Sequence, residues 1–139
     1  LHCVEHYVFF FCSSIIRHTR SYSVTRVQTC ARPIYEGIRA GLMKIRLFRP
    51  VPAKRWRSVL GCAGKVAVID RNLSVGCGGV FAAEVRAALF PRASRPLVFP
   101  VIAGLGGRDV TPRDIIGIAK AGLAQDEPPE TPLFWGLKE

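Results

Sequence analysis

One pattern recurs along this chain and limits what it can fold into: a short apolar run, a glycine-rich loop, then a helix. Lys65-Val66-Ala67-Val68-Ile69-Asp70 is a continuous apolar run, as in a strand covered on both faces. Arg71 to Gly79 follows as a glycine-rich loop, and Val80 to Phe90 as a helix that Pro91 stops. The pattern then repeats. Leu97 to Ala103 reads as a strand, with Pro100 expected to place it toward a sheet edge or a bulge. Gly104 to Val110 is the second glycine-rich loop. Thr111 then serves as an N-cap, Pro112 stands at the first helical position, and Asp114 is placed to close a capping box. Ile115, Ile116, Ile118, Ala119 and Leu123 form that helix's apolar stripe, and Gly122 lies near its end.

Upstream, Leu42 to Phe48 alternates Met43, Ile45 and Leu47 against Lys44 and Arg46, the period of a half-buried strand. Glu36 to Gly41 reads as the end of a helix entering that strand. Arg49-Pro50-Val51-Pro52 ends the strand, and Ala53 to Leu60 is a short helix with Trp56, Val59 and Leu60 on one face. Gln125 to Pro132 is a charged, proline-rich linker, and Leu133 to Leu137 is an apolar closing segment. Strands alternating with helices indicate an α/β layer fold.

The chain has 139 residues, 49% of them hydrophobic and 22% charged, which suits one globular core. No apolar run approaches the roughly 20 residues of a membrane-spanning helix. The opening residues, with His2, Glu5 and His6, do not read as a secretory leader. Leu1 in place of Met predicts a reading frame that begins upstream. The formal charge of +10 is unevenly spread: +3 over residues 1–34, +6 over 35–60 and +1 over 61–139. Such a basic stretch suits a solvated face, an acidic partner or nucleic acid. Aromatic interleaving between Arg39 and Arg57 is limited to Phe48 and Trp56, too thin for a single-strand binder, so no nucleic-acid partner is expected. A small basic nucleic-acid-binding module stands as the alternative reading.

Cys3, Cys12, Cys30, Cys62 and Cys77 are odd in number and form no CxxC, which argues against a disulfide framework and for a reducing cytoplasm. The order His2, Cys3, His6, Cys12, His18 matches no zinc-ligand spacing. No His occurs after His18, so a Ser/His or Cys/His nucleophile is not expected beyond it. Cys77 reads as an incidental thiol, and Cys62 and Cys77 are too few for an iron–sulfur motif.

Composition breaks near residue 34. Residues 1–34 lack Gly and Lys, hold every His and show no helical or strand periodicity of useful length. Phe9-Phe10-Phe11 and the run from Ser23 to Ile34 resemble translated sequencing-adaptor DNA. Residues 1–34 are therefore expected to be artefactual or disordered, residues 35–124 to form the domain, and residues 125–139 to be a linker and C-terminal segment.

From Tyr35 onward the residues carry a second resemblance. Lys65 to Ser74, Gly76, Gly78-Gly79, Glu84 to Leu89 and Ile102 to Thr111 are together similar to the C-terminal part of the alpha subunit of pyruvate:ferredoxin (2-oxoacid:ferredoxin) oxidoreductases. Gly41 to Pro52 and Phe134 to Lys138 fit the same family, with Val51 departing from an expected Phe and Cys77 standing beside the glycines. The resemblance implies a three-layer α/β/α domain of the transketolase C-terminal type, mostly parallel with one antiparallel edge strand. It implies a cytoplasmic parent enzyme that converts a 2-oxoacid, usually pyruvate, to acyl-CoA and CO2 while reducing ferredoxin. The parent's thiamine diphosphate with Mg and its [4Fe-4S] clusters would lie on other domains and subunits, so no cofactor, metal or catalytic residue is expected in this chain. Its expected partners are those domains and subunits, and ferredoxin through the complex; a membrane is not among them.

Two loops then become the candidate site. Gly104-Leu105-Gly106-Gly107 lacks the GxGxxG spacing of a dinucleotide loop. Its glycines suit a tight strand-to-helix turn, and Arg108 and Asp109 are expected to pair locally or with a neighbouring subunit. Asp70, Arg71, Asn72, Ser74, Gly78 and Gly79 are expected to organise the other loop, and Arg49 to serve an interface.

Overall fold

The structure is a computed structural model that describes residues 8–12, 25–29, 40–45 and 48–137. Its strands form one six-stranded sheet in the order β2-β3-β1-β4-β5-β6. These are β1 (Val8–Cys12), β2 (Thr25–Thr29), β3 (Ala40–Ile45), β4 (Lys65–Asp70), β5 (Leu97–Ala103) and β6 (Leu133–Trp135). Only β2 runs antiparallel, at the edge beside β3. The remaining neighbours are parallel, with Val8 opposite both Ala40 and Lys65, and Lys65 opposite Leu97. The alternation of strands and helices predicts the α/β layers, and the family resemblance implies the mostly parallel sheet with an antiparallel edge that is seen here.

Among the described residues, three α-helices cover the sheet: α1 (Ala53–Leu60), α2 (Val80–Leu89) and α3 (Pro112–Leu123). The strand pleat sends alternate residues to opposite faces. Met43, Val66, Val68 and Val98 pack with Trp56, Leu60, Val85 and Leu89 of α1 and α2. Ala67, Ile69, Phe99 and Val101 pack with Ile118 and Ala119 of α3. The continuous apolar run in β4 is thus explained, because one half of it feeds each core. Val51, where a Phe was expected, packs at the border of the α1–α2 core.

Four expectations meet a different outcome. β1 and β2 fall inside residues 1–34, where composition showed no strand; β1 lies between β3 and β4, so backbone pairing on both sides supplies what periodicity does not. β3 is not half-buried along its length: Met43 and Ile45 face α1 and α2, while Ala40 and Leu42 meet the α3 core. Pro100 does not displace β5 to the edge. Pro100 pairs opposite Val68, while β6 reaches only Val101–Ala103, so Pro100 has a neighbouring strand on one side alone. Leu133–Trp135 joins the sheet as β6, beyond the 35–124 range expected for the domain. The remaining residues of 1–34, the helix end before Ala40, and Arg46 and Leu47 lie outside the described residues.

Candidate functional site

The parallel strands β4 and β5 end on the same side of the sheet, and both glycine-rich loops leave from there. Asp70 closes β4 and is buried, with 2% exposure. Each carboxylate oxygen accepts a backbone N–H: Asn72 N donates to Oδ1 at 3.2 Å and Phe81 N donates to Oδ2 at 3.2 Å. Phe81 lies in the first turn of α2, so Asp70 supplies the acceptor that this helix start lacks from its own N-cap, Gly79. Gly79 is needed for that approach. A Cβ there would sit 3.2 Å from both Asp70 Cβ and Asp70 Oδ2.

Between these two points the loop folds back as a tight hairpin. Ser74 N donates to Gly78 O at 2.8 Å, and Gly78 N returns the bond to Ser74 O at 3.0 Å. Gly78 has a positive φ of 68°, and its Cα side is closed by Pro132. The hairpin presents Val75 to solvent at 97% exposure and Leu73 at 48%. Loop, Pro100 and Pro132 together wall a 460 Å³ cleft.

Arg71 joins the two loops. Its Nη2 donates to Gly104 O at 3.3 Å and to Arg108 O at 3.5 Å. Gly104 takes φ 75° and leaves room for the guanidinium, since a Cβ there would meet Arg71 Nε at 3.0 Å. Leu105–Gly107 then forms one 3-10 turn in which Gly106 and Gly107 also have positive φ, with open space beside them. Arg108 and Asp109 are expected to pair locally or with a neighbouring subunit, and the local pairing is not seen among the described residues. Neither forms an ion pair with a described residue; the Arg108 side chain instead lies near Gly136, 3.8 Å from where its Cβ would be.

Arg49 belongs to the same end of the molecule. Its Nη2 is 2.8 Å from Glu84 Oε1 of α2, and its guanidinium lies 4.6 Å over the Phe48 ring. Phe48 packs at 4.4 Å on Phe81, the residue whose N–H reaches Asp70. The structure therefore gathers Arg49, Asp70, Arg71, Asn72, Ser74, Gly78, Gly79, Gly104 and Arg108 along one edge, each holding backbone or a neighbouring side chain. Within the described residues, Asp70 and Arg71 bond to backbone groups of the two loops.

Several organising residues escape a reading of motifs. Glu84 reads only as one charge on a helix. Lys65 Nζ donates to Leu123 O at 2.6 Å and to Gln125 O, ending α3 from the opposite end of the strands. Arg86 Nη2 donates to Val98 O at 3.1 Å and Pro129 O at 3.5 Å. Each pairing spans residues distant in sequence. The glycines inside α3 do leave a signal, because a mid-helix glycine costs about 1 kcal/mol and needs a packing reason.

Comparison with known proteins places this geometry. Residues 13–115 match the family described as pyruvate:ferredoxin oxidoreductase core domain II. The chain is 41% identical over 105 residues to pyruvate synthase subunit PorA of Methanothermobacter thermautotrophicus, covering 75% of this chain and 25% of that protein. It is 40% identical over 85 residues to ketoisovalerate oxidoreductase subunit VorA of Pyrococcus horikoshii, covering 61% of this chain and 22% of that protein. It is 38% identical over 80 residues to the PorA subunit of Thermotoga maritima, covering 58% and 20% respectively. The chain thus spans about a quarter or less of the length of these relatives. With a family match across most of its residues, around a mostly parallel sheet whose strand-end loops are held by Asp70 and Arg71, this chain belongs to the pyruvate:ferredoxin oxidoreductase core domain II family.

Proposed function

We propose that the chain is part of the alpha subunit of a thiamine-diphosphate-dependent 2-oxoacid:ferredoxin oxidoreductase, in which it packs subunits and supports the active site without performing chemistry. The relatives' names support the substrate class: pyruvate and ketoisovalerate are both 2-oxoacids. In this reading the parent complex oxidatively decarboxylates the 2-oxoacid, most simply pyruvate, forms acyl-CoA and reduces ferredoxin. One observation carries the structural role. The side chains at the strand end, Asp70 and Arg71, are turned onto backbone groups, Asp70 within its own loop and Arg71 across to the second loop, while apolar Leu73 and Val75 face outward.

The same observation bears on cofactors. Asp70 is 2% exposed and each of its oxygens accepts a backbone N–H, which supports placing the magnesium–diphosphate group elsewhere. Cys62 and Cys77 supply two sulfurs, short of the four-thiolate set of an iron–sulfur cluster. These groups are assigned to other parts of the parent complex.

A chimera tests the role. Residues 35–137 replace the matching region of the Methanothermobacter PorA subunit, and assembly and pyruvate-dependent ferredoxin reduction are measured. The chimera is expected to assemble and turn over. Replacing Leu73 and Val75 with Ser is expected to reduce the assembled fraction while each assembled complex keeps its rate. A chimera that assembles normally but loses turnover on those replacements would place chemistry in this domain.

A further inference from the structure

We propose that a cleft at the opposite end of the sheet from the two loops takes an acidic segment of a partner protein carrying one apolar side chain. The cleft has a volume of 620 Å³ and lies between the C-terminal end of α2 and the turn containing Asp126 and Pro128. Its charged lining residues are Lys65, Arg86, Arg95 and Asp126. Lys65 Nζ is 3.8 Å from Asp126 Oδ1, and among the described residues neither Arg86 nor Arg95 forms an ion pair with a carboxylate. Arg86 donates only to the Val98 and Pro129 carbonyls, which hold the guanidinium but do not cancel its charge.

The surrounding layer adds to this field. Among the described residues, α1, α2 and the turn after α2 carry Lys54, Arg55, Arg57, Arg86, Arg92 and Arg95 against Glu84, which Arg49 pairs, and the turn at the cleft adds Glu127 and Glu130 beside Asp126. Arg57 donates to Ala88 O and Arg92 to Gly61 O, again carbonyls. The α3 layer is close to balanced, with Arg113 and Lys120 against Asp114. Among the described residues the basic excess is greater on the α1–α2 face than on α3, and Lys65, Arg86 and Arg95 bring it to the cleft. Such a field draws in and orients an acidic partner.

The apolar component selects a protein. Phe90 lines the cleft beside Leu89 and Pro96 yet is 72% exposed, a large apolar side chain left in water. Arg95 covers one face of its ring at 5.2 Å from the centroid, the place a stacked base would take. A leucine or aromatic side chain flanked by carboxylates satisfies Phe90, Arg86 and Arg95 together. A phosphate backbone satisfies only the arginines. The choice of a protein partner rests on the reading of this chain as one piece of a multi-part enzyme.

The test uses the full 139-residue chain and a fluorescein-labelled peptide with one leucine between pairs of glutamates, followed by anisotropy. Saturable binding is expected, weakening as salt rises. Arg95→Glu and Phe90→Ser are each expected to weaken it about tenfold, and Arg113→Gln on the α3 layer to leave it unchanged. Thermal melts of the variants check that these exposed substitutions leave the fold in place. The proposal is overturned by a flat titration, by equal binding of an all-glutamate peptide, or by tighter binding of a labelled oligothymidylate of equal charge. The last result would favour nucleic acid. Failure of the PorA chimera with peptide binding intact would remove the assembly reading alone, and the reverse pattern would remove the cleft alone.

Discussion

Trp135 Nε1 donates a 3.0 Å hydrogen bond to Asp114 Oδ1, tying the last strand of the sheet to the first turn of α3. The other carboxylate oxygen accepts from Thr111 N at 2.7 Å and Thr111 Oγ1 at 2.6 Å. Asp114 N completes the capping box by donating to Thr111 Oγ1 at 3.3 Å. One side chain thus serves both as helix cap and as anchor for β6. The indole needs Gly117 beneath it, since a Cβ there would lie 2.5 Å from Trp135 Cζ2.

This shared carboxylate makes stability depend on acid. The Thr111 hydroxyl, then the Trp135 indole, then the Thr111 N–H hold the Asp114 carboxyl below its ordinary value of 3.8, with slight burial opposing them. A group whose native pKa is lowered stabilises the fold above its unfolded value, and that contribution is lost as pH falls through the lowered native value. Asp114→Asn is expected to flatten the acid limb of the stability curve below pH 3.8, modestly, because the group stays near solvent. Thr111→Ala removes the N-cap and is expected to cost about 1 kcal/mol at neutral pH. Urea melts across the acid range read both effects, and an Asp114→Asn acid limb superimposing on the parent's would refute the first.

Gly122 gives a steric test inside the core. A Cβ at this position would fall 1.9 Å from Phe99 Cζ, and Phe99 is buried between β5 and α3. Gly122→Ala is expected to destabilise by about 2 kcal/mol, as overpacking does, despite alanine's better helix propensity. Phe99→Leu in the same chain should recover part of that loss. Gly106→Ala is the conformational counterpart: space is open there, but φ is 67°, so a loss of about 1 kcal/mol is expected with no rescue from any neighbour. Chemical denaturation of the single and double variants separates the two mechanisms.

These glycines also mark how far sequence reasoning reaches. α1, α2, α3, β4 and β5 are legible because each carries a local signal: the Thr111 cap, Pro91 as a stop, the Val66–Ile69 run. The loop residues Asp70, Arg71 and Gly104 are legible as organisers from their places beside strand ends. What they hold is not. Arg71 meets Gly104 and Arg108 only once β4 and β5 are side by side, and Arg49 meets Glu84 only once α2 packs beside the end of β3. β1 and β2 carry no readable period, because sheet pairing rather than side-chain alternation defines them here.

Asp70 should behave as a structural carboxylate. An amide has one acceptor oxygen, so Asp70→Asn cannot serve both Asn72 N and Phe81 N, and it points an NH2 group at a backbone donor. Leaving a buried donor unpaired costs about 1–3 kcal/mol. The expected result is a loss in that range, with faster amide exchange in the first turn of α2 and in the loop after Arg71. The Phe99-centred core on the far face should keep its protection. Exchange that rises equally in both cores would mean that Asp70 supports the whole fold rather than this edge.

Lys65 closes the opposite end of the strands, and its effect should be confined there. Its ammonium reaches the Leu123 and Gln125 carbonyls at the C-terminal end of α3, where the helix dipole favours a cation. The Asp126 carboxylate at 3.8 Å is almost fully exposed, at 98%, and adds little. Lys65→Met keeps most of the apolar stem but removes both charge-assisted bonds, so a loss of about 1–2 kcal/mol is expected. Asp126→Asn should change stability by only a few tenths of a kcal/mol. If the two substitutions were equally costly, the ion pair rather than the helix end would be what Lys65 serves. Comparing both by denaturant melts, with amide exchange at Ala124 and Gln125, decides between them.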